Sequence, residues 1–135
     1  MGKFQHCKVL FNITLSKLLN RKITMLHSYK KYVKYRIKTP LPSYRQFPCV
    51  TPNFDNASRR MHKGFTAFIG STPQLYGKWL SSVFEKFKPY SQEENFIFIN
   101  AWNEWAEGNH LEPDQKWGRK YLEETKKNID QYKNR

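Results

Sequence analysis

The sequence predicts an α/β fold built on parallel strands, and three observations carry this. From residue 47 onward, apolar runs of strand length alternate with segments of helical period. Phe96-Ile97-Phe98-Ile99 is apolar without alternation, as in strands covered on both faces. The segment richest in polar chemistry follows that run directly, at the end where parallel sheets present their sites. A chain of 135 residues has room for one domain with a modest core.

In chain order, residues 8–26 place Val9, Leu10, Phe11, Ile13, Leu15, Leu18, Leu19 and Ile23 among lysines and arginines, which reads as a basic amphipathic helix. Residues 29–37, with Tyr29, Tyr32, Val33 and Ile37, read as a second short helix that Pro40 and Pro42 end. Phe47–Thr51 reads as a strand opening into the polar loop Pro52-Asn53-Phe54-Asp55-Asn56, and Phe65–Ile69 as another strand. Gly70-Ser71-Thr72-Pro73 announces a helix, a hydroxyl cap with proline at the first helical position. Leu75, Trp79, Val83 and Phe87, with Leu80 and Phe84 beside them, give that helix a buried face. After the strand Phe96–Ile99 and its loop, Pro113-Asp114 reads as the cap of a last helix with Trp117, Tyr121, Leu122 and Ile129 on its apolar face.

The charge is uneven. Residues 1–65 carry 14 Lys/Arg against one acid, Asp55, and residues 66–135 carry 10 against 10, so the whole excess of +13 lies in the first half. Such a surplus suits an anionic membrane surface or nucleic acid. With no zinc pattern, RNP-like aromatic motif or helix-turn-helix, nucleic acid is not the expected partner. Two cysteines, Cys7 and Cys49, make no disulfide framework, and the longest apolar stretch, Val9–Leu15, is short for a membrane span or a signal peptide. The expectation is a cytoplasmic protein that rests, at most, on a membrane surface.

The chemistry concentrates in Asn100-Ala101-Trp102-Asn103-Glu104-Trp105-Ala106-Glu107-Gly108 and His110-Leu111-Glu112-Pro113. Glu104 and Glu107 are three apart, which on one helical turn makes their side chains neighbours, about 5–6 Å between Cβ atoms. Retaining glycosidases hold their two carboxyl groups about 5–5.5 Å apart, and a close pair divides into an acid and a base or nucleophile. Trp102 and Trp105 offer flat faces to sugar rings, and Asn103, His110 and Glu112 can hydrogen-bond hydroxyls. The bland reading makes the glutamates solvated loop residues and the tryptophans core. A metal held by Glu104, Glu107, His110 and Glu112 is not expected, because no His-Glu-x-x-His or related pair is present. The earlier loop adds Asp55, Asn56 and Arg59 as candidates for sugar hydroxyls or a phosphate, or else a turn in which Asp55 pairs with Arg59 or Arg60.

At these residues the chain resembles the WbsX-type glycosyltransferases of polysaccharide and O-antigen biosynthesis. The matching blocks are Phe98–Gly108 with His110–Asp114, then Gly118 and Tyr121-Leu122-Glu123; upstream, Val50–Asn56 with Arg59-Arg60, and Gly70–Pro73. The likeness is carried by residues 26–132, leaving 1–25 as an unassigned basic segment and 26–135 as the family-like domain. The family is similar in turn to endo-α-mannosidase-type glycoside hydrolases, which are (β/α)8 barrels with an Asn-Glu-Trp-x-Glu-Gly motif. The resemblance implies that Glu104 assists attack by the sugar's own 2-hydroxyl, that Glu107 is the general acid/base, and that no metal or cofactor takes part. A full barrel takes about 250 residues. The resemblance therefore implies the C-terminal part of a TIM-like barrel, incomplete in this chain: either a truncated or split reading frame, or a half completed by a second polypeptide. Its substrate would be a glycan or sugar donor. An inactive remnant or a glycan-binding module is the alternative.

Overall fold

The computed structural model describes residues 24–60 and 64–134. The helix expected over residues 8–26 lies outside them up to residue 23, as does Cys7. Where that segment enters the described region it is not helical. Met25–Ser28 forms strand β1, followed at once by helix α1, Tyr29–Lys38. Ser28 caps α1 by accepting from the Lys31 N–H, and Lys86 donates to the carbonyls of Arg36, Ile37 and Thr39 at its far end.

The remaining elements are β2 (Cys49–Val50), β3 (Thr66–Ile69), α2 (Pro73–Lys86), β4 (Phe98–Ile99), β5 (Asn103–Glu104), β6 (Asn109–His110) and α3 (Lys120–Lys133). Thr72 accepts from the Leu75 N–H with Pro73 in the first turn of α2, as the sequence predicts. The last helix starts later than predicted. Asp114 accepts from the Trp117 N–H and closes a turn with Gly118, whose φ of 55° suits glycine, so it caps that turn and α3 begins at Lys120.

The strands pair two by two. β1 runs parallel to β3, with Leu26 opposite Ala67 and Ser28 opposite Ile69. β2 runs parallel to β4, with Cys49 opposite Phe98 and Val50 opposite Ile99. β5 and β6 form an antiparallel hairpin. The loop after β2 folds back along β3 through bonds from Phe68 N to Phe54 O and from Asn56 N to Thr66 O, which ties the two parallel pairs together.

The helices cover one face of these strands. Tyr29, Val33, Val50, Tyr76, Trp79, Leu80, Val83, Leu111 and Tyr121 form the core. Tyr32 packs edge-on against Trp79 and tilted against Phe68, and Tyr76 meets Tyr121. The opposite face is only partly covered, with Ala67 buried there. Leu26 and Ile69 on the first pair and Phe98 on the second are each more than half exposed. The prediction that Phe96–Ile99 is covered on both faces is therefore corrected. Ile97 and Ile99 pack on the core, while Phe96 and Phe98 turn outward against Phe47. Unbroken apolarity hides this two-fold alternation, because the outward residues are apolar too. No described helix is long and apolar enough to cross a membrane.

The core tyrosines give the fold a measurable alkaline limit. Burial pushes the Tyr76 hydroxyl from 10.0 up to about 12. Burial also raises Tyr29, with Tyr121, Tyr76 and Tyr32 adding to it, and raises Tyr121. The folded state thus favours the neutral phenols. That stability is complete below the unfolded tyrosine value near pH 10 and is lost as pH climbs through the folded values. The urea midpoint should stay flat to about pH 9 and fall from about pH 10 upward. Tyr29→Phe, which removes the 2.6 Å bond to the Thr51 carbonyl, should cost about 1–2 kcal/mol at neutral pH in the same measurement.

Candidate functional site

Because β2 and β4 are parallel and in register, the loops that follow them leave from the same end. One is residues 51–60. The other starts with the cis Asn100–Ala101 peptide bond and runs through Trp102, the β5–β6 hairpin and Leu111. Direct bonds fasten the two loops together. Asp55 N donates to Glu107 O at 2.6 Å, Ser58 Oγ donates to Ala106 O, and Thr51 Oγ1 donates to Asn109 Oδ1 at 2.8 Å. Asn109 is fully buried, and the Tyr29 hydroxyl holds the Thr51 carbonyl from below.

Glu104 and Glu107 do not share one turn of α-helix. Glu104 ends β5, and Glu107 closes the single 3-10 turn Trp105–Glu107. What unites them is Arg59, at the centre of the 3-10 turn Ser58–Arg60. Its Nη2 lies 2.7 Å from Glu104 Oε1 and its Nη1 lies 3.6 Å from Glu107 Oε1. The guanidinium thus addresses each carboxylate with a different nitrogen and offsets their mutual repulsion. The side chains are 51%, 37% and 27% exposed for Arg59, Glu104 and Glu107. Water can reach all three.

The neighbouring candidates fall into two groups. Trp102 and Trp105, which flank Glu104 in the chain, are 54% and 49% exposed, and Asn103 is exposed with them. Asp55 Oδ1 accepts from Ala57 N within the loop, and Asn56 Oδ1 accepts from Thr66 N at the start of β3. Asp55 therefore does not pair with Arg59, which faces the glutamates. His110 stacks on Trp105 with ring centroids 3.7 Å apart and meets Asp114 Oδ2 through Nε2 at 3.2 Å. Glu112 accepts from Trp105 Nε1 at 2.6 Å. These two side chains hold the Trp105 ring from its face and its edge.

A cavity of about 650 Å³ adjoins this arrangement, with Asn53, Ser71, Trp105, His110, Asp114, Trp117 and Tyr121 in its wall. The glutamates are not part of that wall. The cavity's one carboxylate, Asp114, is already engaged by His110 and the Trp117 N–H. No group of three or more His, Cys, Asp or Glu side chains among the described residues is arranged to hold a metal ion. The supports Tyr29, Thr51, Ser58 and Asn109 were not predicted. Each is a single polar residue whose partner lies at least 22 positions away, and no local pattern marks it.

Fold and site together define a mixed α/β protein that presents a bridged carboxylate pair between exposed indoles, at the carboxyl end of a parallel strand pair. The comparisons give that class a family. The sequence profile of the family described as glycosyltransferase WbsX matches residues 3–125. The chain belongs to the WbsX glycosyltransferase family. The match begins at residue 3 and so takes in most of the basic amino-terminal segment. The chain is also 40% identical over 88 residues, 64% of its length, to the uncharacterized protein WxcX from each of two strains of Xanthomonas campestris pv. campestris. It spans 12% of the length of those relatives. No solved structure matches it.

Gly108 tests how closely the two loops depend on each other. Its φ is +55°, and a Cβ there would lie 3.2 Å from the Asp55 Cβ. Gly118 has the same φ with nothing within 4 Å, so Gly118→Ala reports the backbone cost alone, about 1 kcal/mol. Gly108→Ala should destabilise the fold by measurably more than Gly118→Ala in urea titrations. Equal losses would show that the contact between the loops is slack.

Proposed function

We propose that the chain contributes the C-terminal part of a (β/α)8 barrel acting on glycans in polysaccharide or lipopolysaccharide biosynthesis. The observation that carries this is the carboxylate pair at the carboxyl end of the parallel β2–β4 pair, held to one guanidinium and flanked by exposed Trp102 and Trp105. Glu107 is the general acid/base at the glycosidic oxygen. Glu104 draws the proton from the sugar's own 2-hydroxyl as that oxygen attacks the anomeric carbon. The indoles stack on the sugar rings, and Asn103 binds a hydroxyl. The same bond cleavage leads to hydrolysis or to transfer, according to whether water or a glycan hydroxyl accepts the glycosyl group.

The barrel reading rests on two features. Both parallel strand pairs are covered by helices on one face only. The opposite face carries Leu26, Ile69 and Phe98, apolar groups that the remaining strands of a barrel would bury. Those strands are supplied by polypeptide beyond this sequence. The setting is cytoplasmic, and the +13 excess carried by the first half suits contact with an anionic membrane surface.

Glycan turnover by the chain combined with the polypeptide carrying the remaining strands tests the assignment. Glu107→Gln and Glu104→Gln should each lower turnover by about 10²–10⁴-fold. Trp102→Ala should act mainly by raising KM. Full turnover by Glu107→Gln would end this reading of the pair.

A further inference from the structure

On the glycan reading, the Arg59 guanidinium lies where positive charge builds up during the reaction. A glycosyl transition state carries partial oxocarbenium character on a flat ring, and carboxylates on either side stabilise it. In this structure a flat cation already reaches both carboxylates, at 2.7 Å and 3.6 Å. Other groups do the latching of the loops. The Asp55 N–H and the Ser58 hydroxyl bind the backbone of residues 106–107, so Arg59 is not needed to keep the loops together. Its side chain is half exposed on a short 3-10 turn, so it can swing into water without disturbing buried packing. Neither glutamate has another hydrogen-bond or ion-pair partner for its side chain in the described structure.

We infer that Arg59 is an internal occupant of the Glu104–Glu107 site, holding it closed until a sugar ring, whose reacting centre gains positive charge between the two carboxylates, displaces the guanidinium. Arg59 acts here as an autoinhibitory contact. It orders both carboxylates in the empty protein and leaves them to the ligand when the ligand arrives. This rests on the glycan reading for the identity of the ligand but not for the contact itself.

Binding of two cations to the full chain, followed by calorimetry, separates the two ideas. Methylguanidinium probes the contact alone, and 1-deoxynojirimycin, a cationic iminosugar, probes it as a sugar site. Arg59→Ala should bind methylguanidinium about tenfold more tightly than the unaltered chain, because an internal competitor lowers apparent affinity by the fraction of open sites. Adding Glu104→Gln to Arg59→Ala should abolish the gain. Equal affinity of Arg59→Ala and the unaltered chain for methylguanidinium would overturn the inference. If the gain appears but the iminosugar binds no better than methylguanidinium, the contact stands and the glycan reading falls. The unaltered chain gives a check that needs no variant. Its Arg59 Nη signals in ¹⁵N spectra should be separately resolved while the bridge restrains rotation, and should merge when 1-deoxynojirimycin saturates the site. Resolved signals that persist at saturation would overturn displacement.

Discussion

The parallel, in-register pairing of β2 with β4 is the constraint on which the rest of the site depends. Its ladder is short, with Phe98 N donating to Pro48 O and Asn100 N to Val50 O, both at 2.9 Å. Two-residue strands hold a register poorly by themselves. Here burial supplies it, because Val50 is fully buried in the helix-covered core and Ile99 packs against that core. A slip of one residue would turn Val50 to the opposite face and bring Cys49 inward. Antiparallel pairing would send loops 51–60 and 100–112 to opposite ends, and Arg59 would never meet Glu104.

Once both loops leave together, a ladder of polar contacts fixes their distance. Tyr29 on α1 holds Thr51, Thr51 holds Asn109, and the Asp55 N–H and Ser58 hydroxyl hold the turn that carries Glu107. The contacts run from the helical core outward to solvent. The inner ones are buried and rigid, while the outermost, Arg59 with its glutamates, is half exposed. Buried hydrogen bonds hold their geometry because breaking one strands a polar group away from water. Exposed ion pairs lose little when they open. Rigidity therefore ends at the contact between Arg59 and its glutamates.

Local signals were legible in the sequence and distant ones were not. α2 could be read from Thr72-Pro73 and the recurrence of Trp79, Val83 and Phe87, because caps and helical period act within a few residues. The motif's place after β4 could be read for the same reason. The start of α3 was set too early because Asp114 looks like a helix cap, yet its carboxylate serves a turn closed by Gly118. β1 was hidden in four residues running straight into α1, and only its pairing with β3 makes it a strand. The glutamates were identified as a pair by their spacing. Their actual link, through Arg59 45 residues upstream of Glu104, depends on tertiary structure that spacing does not encode.

The charge asymmetry of the sequence takes on a meaning at this link. The first half holds one acid, Asp55, and that acid is spent within its own turn on the Ala57 N–H. Arg59 is therefore left without a local carboxylate and pairs across the structure with acids from the balanced half. Asp55 thus does two things for the pair. Its carboxylate shapes the turn that aims Arg59, and its backbone N–H holds Glu107 in reach. A lysine at position 59 would bring one compact charge and no fork, and it could not present separate nitrogens to both glutamates. Half-exposed ion pairs of this kind add little to stability, and the loops are already joined by backbone and hydroxyl bonds. What the guanidinium adds is order: it ties two like charges to one cation.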